Sequence, residues 1–168
     1  MKGKGKGSNP FPFTPSLFTP VTFSLQDPEV FSKVSSQNEA SRRILVADDD
    51  PAILRLVTAI VEKEGYEVVP ARDGREAYKL LQTGSDFAAC VFDVVMPHIQ
   101  GPELVRYMKS EKKLMKIPVL MMTAEQNPKL SSDSFAAGAT VFLPKPFTTS
   151  QLQVMLRMLI SKSRGEQS

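Results

Sequence analysis

The sequence is short of the residues that build disulfides and soft-metal sites. Among its 168 residues, Cys90 is the only cysteine, His98 is the only histidine, and tryptophan is absent. A single cysteine excludes a disulfide within the chain, and a zinc site needs more thiolate or imidazole ligands than these two residues supply. Cys90 lies inside an apolar segment, so we predict a buried, unreactive thiol in a protein of the reducing cytoplasm.

Long apolar runs and a large excess of one charge are also missing. No apolar segment approaches the roughly 20 residues that a transmembrane helix requires. The net charge of +3, from 21 basic and 18 acidic residues, is too small to indicate direct binding of nucleic acid. With 42% hydrophobic and 23% charged residues, the composition is typical of a globular domain.

Residues 1–41 differ in composition from the remainder of the chain. They contain five prolines, which interrupt helices and strands, and five phenylalanines without a regular spacing. We predict a disordered tail here, then a folded domain over 42–162 and a polar tail over 163–168. Two other roles for the first tail stay open. Its phenylalanines could anchor a partner, or its acid-poor start could be an organelle transit segment, although it lacks arginine.

Four short apolar segments are each followed by a polar residue of reactive type. The segments and the residues after them are 44–47 with Asp48 and Asp49, 89–92 with Asp93, 117–122 with Thr123, and 141–144 with Lys145. Each segment is rich in strand-forming residues and precedes turn signals and a helix-like stretch. This alternation predicts buried parallel strands separated by helices.

A further strand over 66–69 and five helices complete an α/β pattern of five strand–helix units. We predict a doubly wound, parallel five-stranded sheet with right-handed crossovers and the flavodoxin-like order 2-1-3-4-5. The carboxyl ends of such strands meet at one crevice. The predicted fold would therefore bring five reactive side chains together: Asp48, Asp49, Asp93, Thr123 and Lys145.

The predicted helices are amphipathic. In the first, which Asp50 caps, the 3.6-residue spacing assigns Leu56 to the buried stripe. The last helix is expected from about Thr148 to Ile160. On it, Val154 and Met158 lie four residues apart, outside the main apolar stripe. They are either isolated exposed residues or a surface for a partner or a second copy.

Three carboxylates in one cleft repel one another, so a hard cation would stabilise the site. Few carboxylates, a backbone carbonyl and several waters suit Mg²⁺ better than Ca²⁺. A lysine ammonium and a threonine hydroxyl beside a metal are groups that phosphoryl transfer requires, because they neutralise the transferred group. Asp93 is then the predicted nucleophile, and it would form an aspartyl phosphate.

These residues lie in motifs that resemble the receiver domain of two-component response regulators over residues 43–160. The motifs are Ile44-Leu45-Val46-Ala47-Asp48-Asp49-Asp50-Pro51, Ala71-Arg72-Asp73-Gly74-Arg75-Glu76-Ala77, Asp93-Val94-Val95-Met96-Pro97, Gly101-Pro102-Glu103-Leu104, Met122-Thr123-Ala124, Ala137-Gly138-Ala139 and Lys145-Pro146-Phe147. The chain is similar to the single-domain receivers of chemotaxis systems. The resemblance also implies a cis peptide bond before Pro146.

The resemblance implies that Asp93 accepts a phosphoryl group from a histidine kinase or a histidine phosphotransfer protein. Asp49, Asp93 and the Val95 carbonyl would bind Mg²⁺ directly, and Asp48 would bind it through water. The chain would then be a switch rather than an enzyme, with self-phosphorylation and self-dephosphorylation as its only reactions. Its downstream protein target is not indicated by the sequence.

The resemblance also assigns residues to the switch and to the loss of the phosphate. Thr123 and Lys145 would contact the phosphoryl oxygens, and Phe142 would turn into the space that Thr123 leaves. Val95 and Glu125 match positions that tune dephosphorylation. Because Val95 cannot hydrogen-bond an attacking water, we predict a moderately long-lived phosphate.

Several alternatives stay open. Within the receiver class, the chain is a stand-alone signalling protein that docks on a target, or else a relay intermediate or phosphate sink. A dehalogenase-like phosphatase would use an Asp-x-Asp motif, which Asp48-Asp49-Asp50 satisfies, although Pro51 and Ala52 do not fit that family. A flavodoxin-like electron carrier needs a phosphate loop that is missing after the first strand. A phosphate-independent receiver conflicts with the complete acidic set.

Overall fold

A computed structural model describes residues 42–124 and 128–165, which form five strands and five helices. In chain order they are β1 (Arg43–Ala47), α1 (Pro51–Lys63), β2 (Glu67–Ala71), α2 (Gly74–Thr83), β3 (Ala89–Asp93), α3 (Gly101–Ser110), β4 (Val119–Thr123), α4 (Pro128–Ala137), β5 (Val141–Pro144) and α5 (Thr149–Gly165). The predicted N-terminal tail, Glu125 and residues 166–168 lie outside the described residues.

All neighbouring strands are parallel, and their order is β2-β1-β3-β4-β5. The predicted doubly wound order is therefore confirmed. In the register of the sheet, Asp93 at the end of β3 pairs with Met122, and Thr123 at the end of β4 pairs with Pro144. The carboxyl ends of the strands consequently lie level with one another along one edge of the sheet.

Side chains alternate between two apolar layers on opposite faces of the sheet. Phe92 and Met121 pack in one layer with residues of α2, α3 and α4, whereas Val91 and Leu120 pack in the other with residues of α1 and α5. Every residue of β3 and β4 is buried, as expected for central strands covered on both faces. Each fully buried apolar side chain of this size contributes about 2 kcal/mol to stability.

Side-chain caps fix the chain where it turns at the carboxyl edge. The carboxylate of Asp50 accepts hydrogen bonds from the Ala52 and Ile53 amides, which confirms it as the cap of α1. At the start of α5, the Gln151 amide donates to the Thr148 hydroxyl at 3.2 Å, and the Thr148 amide donates to the Gln151 side chain at 2.8 Å. These contacts set the directions in which the helices leave the edge.

Three elements have bounds that differ from those predicted. The second strand is Glu67–Ala71 rather than 66–69, and it continues through Pro70. This strand lies at the edge of the sheet, where a missing proline amide is tolerated. The fourth strand begins at Val119, because the Ile117 amide donates to the Leu114 carbonyl in a preceding turn. The last helix continues past Ile160 to Gly165.

The prediction that Leu56 is buried is wrong. Its side chain on α1 is 43% exposed, whereas Val57, Ile60 and Val61 are buried. The helix contacts the sheet through a narrower face than its apolar spacing suggests, and Leu56 lies outside that face. Helical periodicity identifies the apolar stripe but does not show where along its width contact with the sheet ends.

Candidate metal centre

Three aspartates converge where β1 and β3 end side by side. Asp48 and Asp49 follow β1, and Asp93 is the last residue of β3. One carboxylate oxygen from each lies within 4.8 Å of those from the other two. Asp48 and Asp93 are buried and Asp49 is exposed, so the cluster is open to solvent on one side. The structure therefore brings together the three predicted acidic residues in a form that can hold a cation.

Lys145 reaches this cluster from the end of β5. Its ammonium Nζ lies 2.7 Å from Asp48 Oδ2 and 3.4 Å from Asp93 Oδ1. Burial disfavours the charged lysine, but the hydrogen bond to Asp48 and the negative charges of Asp93 and Asp48 outweigh it and raise the pKa of Lys145. The lysine is thus held as a cation, and its single charge faces three carboxylates.

The carboxyl group of Asp93 is harder to ionise than an ordinary aspartate. Burial raises its pKa to about 6, the Lys145 charge opposes that shift, and the nearby Asp48 and Asp49 charges add to it. At pH 7 Asp93 is still mostly ionised, but at a cost that a bound cation would offset. The donor set consists of hard carboxylate oxygens, which fits Mg²⁺.

Asp48 is held on both of its oxygens. Its Oδ1 accepts the Asp50 amide at 2.9 Å, while Oδ2 accepts from Lys145. The backbone bond fixes the orientation of the side chain toward the other acidic residues. Sequence reasoning did not identify this contact, because a loop amide that turns back two residues leaves no signal in residue spacing.

Thr123 is buried at the end of β4, beside the strand that carries Asp93. Its carbonyl accepts the Lys145 amide at 2.7 Å, so the backbone joins the two predicted phosphoryl-binding residues. Phe142 on β5 is partly buried, and its ring centroid lies 5.4 Å from that of Phe135 on α4. Phe135 is 54% exposed and was not predicted as part of the switch.

The loop between β3 and α3 passes beside the cluster. The Val94 amide donates to the Met122 carbonyl at 2.8 Å, and the Gly101 amide donates to the Val94 carbonyl at 3.0 Å. Val95 follows with an exposed side chain, and His98 has a left-handed backbone with φ of 71°. After β5, the predicted cis bond between Lys145 and Pro146 is present.

The remaining predicted residues lie on the surface or outside the described part of the chain. Val154 and Met158 on α5 are 51% and 57% exposed, as a contact surface requires. Glu125, a predicted dephosphorylation position, lies in the segment 125–127 that the structure does not describe. Among the described helices, none combines the length and apolar character needed to cross a membrane.

The sequence model of the response regulator receiver domain matches residues 44–157. The chain belongs to the response regulator receiver family. Receiver domains are signalling switches rather than classical enzymes, and they interact with histidine kinases or phosphotransfer proteins. The strand order and the acidic cluster of this chain agree with that family.

Relatives and solved structures support the same assignment. Response regulator MprA of Mycolicibacterium vanbaalenii is 36% identical over 121 residues, which are 72% of this chain and 51% of that protein. The chain spans about half the length of the curated relatives it matches. Chemotaxis protein CheY4 of Vibrio cholerae is 34% identical with a TM-score of 0.66, covering 71% of this chain and 99% of that structure.

A third similar structure is the receiver domain of a sensor histidine kinase from Pseudomonas aeruginosa. It is 24% identical with a TM-score of 0.66, and it covers 73% of this chain and 99% of that structure. At this identity it shows the shared fold. That protein was crystallised with a magnesium ion coordinated in its active-site cleft.

Proposed function

We propose that this chain is a phosphorylated signalling switch in which Asp93 accepts a phosphoryl group from a histidine kinase or a histidine phosphotransfer protein. The observation that carries the proposal is the acidic cluster, in which three carboxylates lie within 4.8 Å and Lys145 contacts two of them. Structural interactions alone seldom place three acidic groups against one ammonium, because the net charge is costly. A bound cation and a transferred anion explain this arrangement.

We propose that Mg²⁺ binds to Asp49, Asp93 and the backbone carbonyl of Val95, with Asp48 acting through water. The exposed carboxylate of Asp49 is available for an ion that keeps several of its waters. When bound, the ion would neutralise charge on the transferred group and on the acidic residues around it. The magnesium ion in the Pseudomonas receiver structure supports this choice of metal.

In the proposed reaction, a carboxylate oxygen of Asp93 attacks the phosphorus atom. A phosphorus–oxygen bond forms, the phosphorus–nitrogen bond to the donor histidine breaks, and its electron pair stays on the histidine nitrogen. Lys145 and the Thr123 hydroxyl hold the phosphoryl oxygens. The reaction needs the Asp93 carboxylate, which its pKa of about 6 leaves mostly ionised at pH 7.

The proposed output is a change in a protein-binding surface. Movement of Thr123 toward the phosphoryl group would open space into which Phe142 turns, and this would alter the contact between Phe142 and the exposed ring of Phe135. Val154 and Met158 add further exposed apolar area on α5. These residues favour docking on a protein target, or on a second copy, over a phosphate sink.

The surface on α5 has its own test. Met158→Glu replaces an exposed apolar side chain by a charge and should weaken target binding or self-association, while phosphorylation by acetyl phosphate stays at the wild-type level. An exposed lysine on the same helix supplies the control, since Lys162→Glu changes charge without removing apolar surface. Unchanged association in the Met158 variant would remove this surface from the proposal.

The lifetime of the phosphate is a further part of the proposal. Val95 has an exposed side chain two residues after Asp93, and it offers no hydrogen bond to an attacking water. Glu125 is the second proposed tuning position. We expect a moderately long-lived phosphate, and a half-life of a few seconds would contradict this. The cytoplasmic location inferred from the composition stays a prediction.

Intact mass after incubation with acetyl phosphate and Mg²⁺ tests the function directly. The wild type should gain one phosphoryl group, and Asp93→Asn should gain none. Asp50→Asn is the matched control, because asparagine caps a helix as well as aspartate and Asp50 lies outside the acidic cluster. A chelator should abolish the adduct. A folded wild type without an adduct, or an adduct on Asp93→Asn, would refute the proposal.

A further inference from the structure

The loop over residues 94–100 carries the Val95 carbonyl, a proposed Mg²⁺ ligand. Hydrogen bonds fix the two ends of this loop, from the Val94 amide to the Met122 carbonyl and from the Gly101 amide to the Val94 carbonyl. The tip contains His98 and Ile99, and there the Ile99 amide donates to the Pro97 carbonyl at 2.9 Å, a bond that lies within the loop and does not tie it to another element. Val95 lies between the fixed Val94 and this tip, so the position of its carbonyl depends in part on what the tip contacts.

The tip of the loop packs against the first residue of α2. A Cβ atom added to Gly74 would overlap the backbone carbonyl of Ile99 and would come within 2.9 Å of the Ile99 Cβ. The overlap involves backbone atoms, so a change of side-chain rotamer cannot relieve it. Gly74 is buried, and its φ lies outside the left-handed region. Glycine is needed here for the close approach.

The first turn of α2 is itself firmly fixed. Asp73 Oδ1 accepts the Glu76 amide at 2.7 Å, and Glu76 Oε2 accepts the Arg72 amide at 2.7 Å, so the two side chains cap the turn reciprocally. The turn also reaches His98, through Asp73 Oδ2 at 3.9 Å and Arg75 Nη2 at 3.5 Å.

His98 gives a second sign that the loop is held in place. Its φ of 71° puts a non-glycine residue in the left-handed region, at a cost of about 1 kcal/mol. Such a conformation persists only where the surroundings impose it. Asp73, Arg75 and the backbone contact between Gly74 and Ile99 are the surroundings in this case.

We infer that the first turn of α2 is a positioning element for the metal-binding loop, and that Gly74 is its positioning residue. The turn stops the loop tip at Ile99 and so sets where the Val95 carbonyl lies relative to Asp93. The inference rests on the proposed function, since it takes that carbonyl as a ligand of Mg²⁺. Gly74 has no reactive group, and α2 contributes no metal ligand. The inference nevertheless makes Gly74 a determinant of Mg²⁺ affinity.

Gly74→Ala in the full chain is the direct test. The added methyl group should displace the loop tip and weaken Mg²⁺ binding about tenfold, as loss of an outer-shell support typically does. Metal-free amide NMR spectra should show shifts at Val95, Met96, His98 and Ile99. Phosphorylation by acetyl phosphate should slow at low Mg²⁺ and recover at saturating Mg²⁺, because the reacting residues are intact.

Gly84→Ala is the matched control at the other end of α2. A Cβ atom there would lie 3.7 Å from the Leu80 carbonyl oxygen, an ordinary contact, so Mg²⁺ affinity should stay within about twofold of the wild type. Ile160→Val controls for lost stability, because it trims a buried side chain on α5 and should leave Mg²⁺ affinity unchanged.

Asp73→Ala provides a second variant, which loosens the same turn without adding an atom and keeps the test available if Gly74→Ala does not fold. Wild-type Mg²⁺ affinity and unshifted loop amides in the variants of this turn would overturn the inference and leave the proposed function intact. A wild type that binds no Mg²⁺ would instead refute the proposed metal site, and the metal-free amide shifts would still show whether the turn positions the loop.

Discussion

Two opposing sets of interactions determine the pKa of Asp93. Burial and the charges of Asp48 and Asp49 favour its neutral form, while Lys145 favours its charged form. Burial and the two aspartate charges outweigh Lys145, so folding raises the pKa of Asp93 from 3.8 to about 6. Between these pH values the folded state retains a proton that the unfolded state has lost. The contribution of Asp93 to stability therefore falls as pH rises from about 4 to about 6, and it stays low above that range.

Asp93→Asn should consequently stabilise the metal-free protein above pH 6, by about 1 kcal/mol once solvent screening and Lys145 are allowed for. At pH 4 the two proteins should be nearly equal, because Asp93 is protonated in the folded wild type. Urea unfolding at pH 7.5 and pH 4 measures both quantities. Asp50→Asn should show no comparable gain, and a gain in Asp93→Asn that is the same at both pH values would contradict this account.

Cys90 is a potentially reactive side chain that its buried position makes inert. It is fully buried in β3, and burial raises the pKa of its thiol far above the ordinary value, although the charge of Lys109 opposes the shift. The folded protein at pH 8 should therefore resist alkylation by iodoacetamide. Modification should appear in urea, in step with unfolding, when followed by intact mass. Rapid labelling of the folded protein would show that β3 opens locally.

At the scale of elements, close approach of helices to loops determines how the site is built. Gly101, the first residue of α3, lies where a Cβ atom would overlap the Asp93 carbonyl oxygen and would come within 2.5 Å of Met121 Cε. The start of α3 can therefore sit directly against the end of β3. The hydrogen bond that the Gly101 amide donates to the Val94 carbonyl depends on the same approach.

Gly101→Ala should destabilise the protein by about 1–3 kcal/mol, the range typical of overpacking in a close-packed region. Gly84→Ala is the comparison, and it should be neutral or stabilising by up to about 1 kcal/mol, because glycine is replaced where space is available. Urea denaturation of both variants measures the difference. Equal stabilities would show that the start of α3 moves away at little cost.

The sequence predicts the strands well because each central strand is a short apolar run that ends at a polar residue. Its errors come from effects that depend on neighbouring elements. The second strand was predicted over 66–69, yet β2 continues through Pro70 at the edge of the sheet. Ile117 seemed to begin the fourth strand, yet its amide is used in a turn. Leu56 fits the helical spacing, yet it lies beyond the contact with the sheet.

In the site, too, contacts set by the ends of strands could be predicted, whereas contacts that depend on the packing of neighbouring elements could not. Asp48, Asp93 and Lys145 could be predicted to meet because the end of a parallel strand fixes where the next residue lies. The contact of Phe142 with Phe135 could not, because it depends on how α4 packs beside β5. The contact of Gly74 with Ile99 also joins two elements far apart in sequence. It appears in the sequence only as a glycine at the start of a helix.

For the whole molecule, a ligand that binds only the folded state raises its stability. If Mg²⁺ binds as proposed, a free concentration of ten times the dissociation constant should add about 1.4 kcal/mol. Thermal unfolding with and without Mg²⁺ measures this gain. Asp49→Ala should lose most of it, whereas Asp133→Ala, which removes an acidic residue outside the cluster, should keep it. A gain of similar size in all three proteins would indicate general ionic effects.

The ion pair between Lys145 and Asp48 joins residues 97 positions apart. During synthesis, the acidic residues, Thr123 and the first four strands all emerge before the lysine that completes the cluster. A chain still on the ribosome therefore carries three mutually repelling carboxylates without their protein counter-ion until β5 has been made. A product truncated before Lys145 would lack the cation that faces Asp93. Competence for the proposed signalling would thus arise only after β5 and Lys145 have been made, so a copy that stops earlier could not act as the switch.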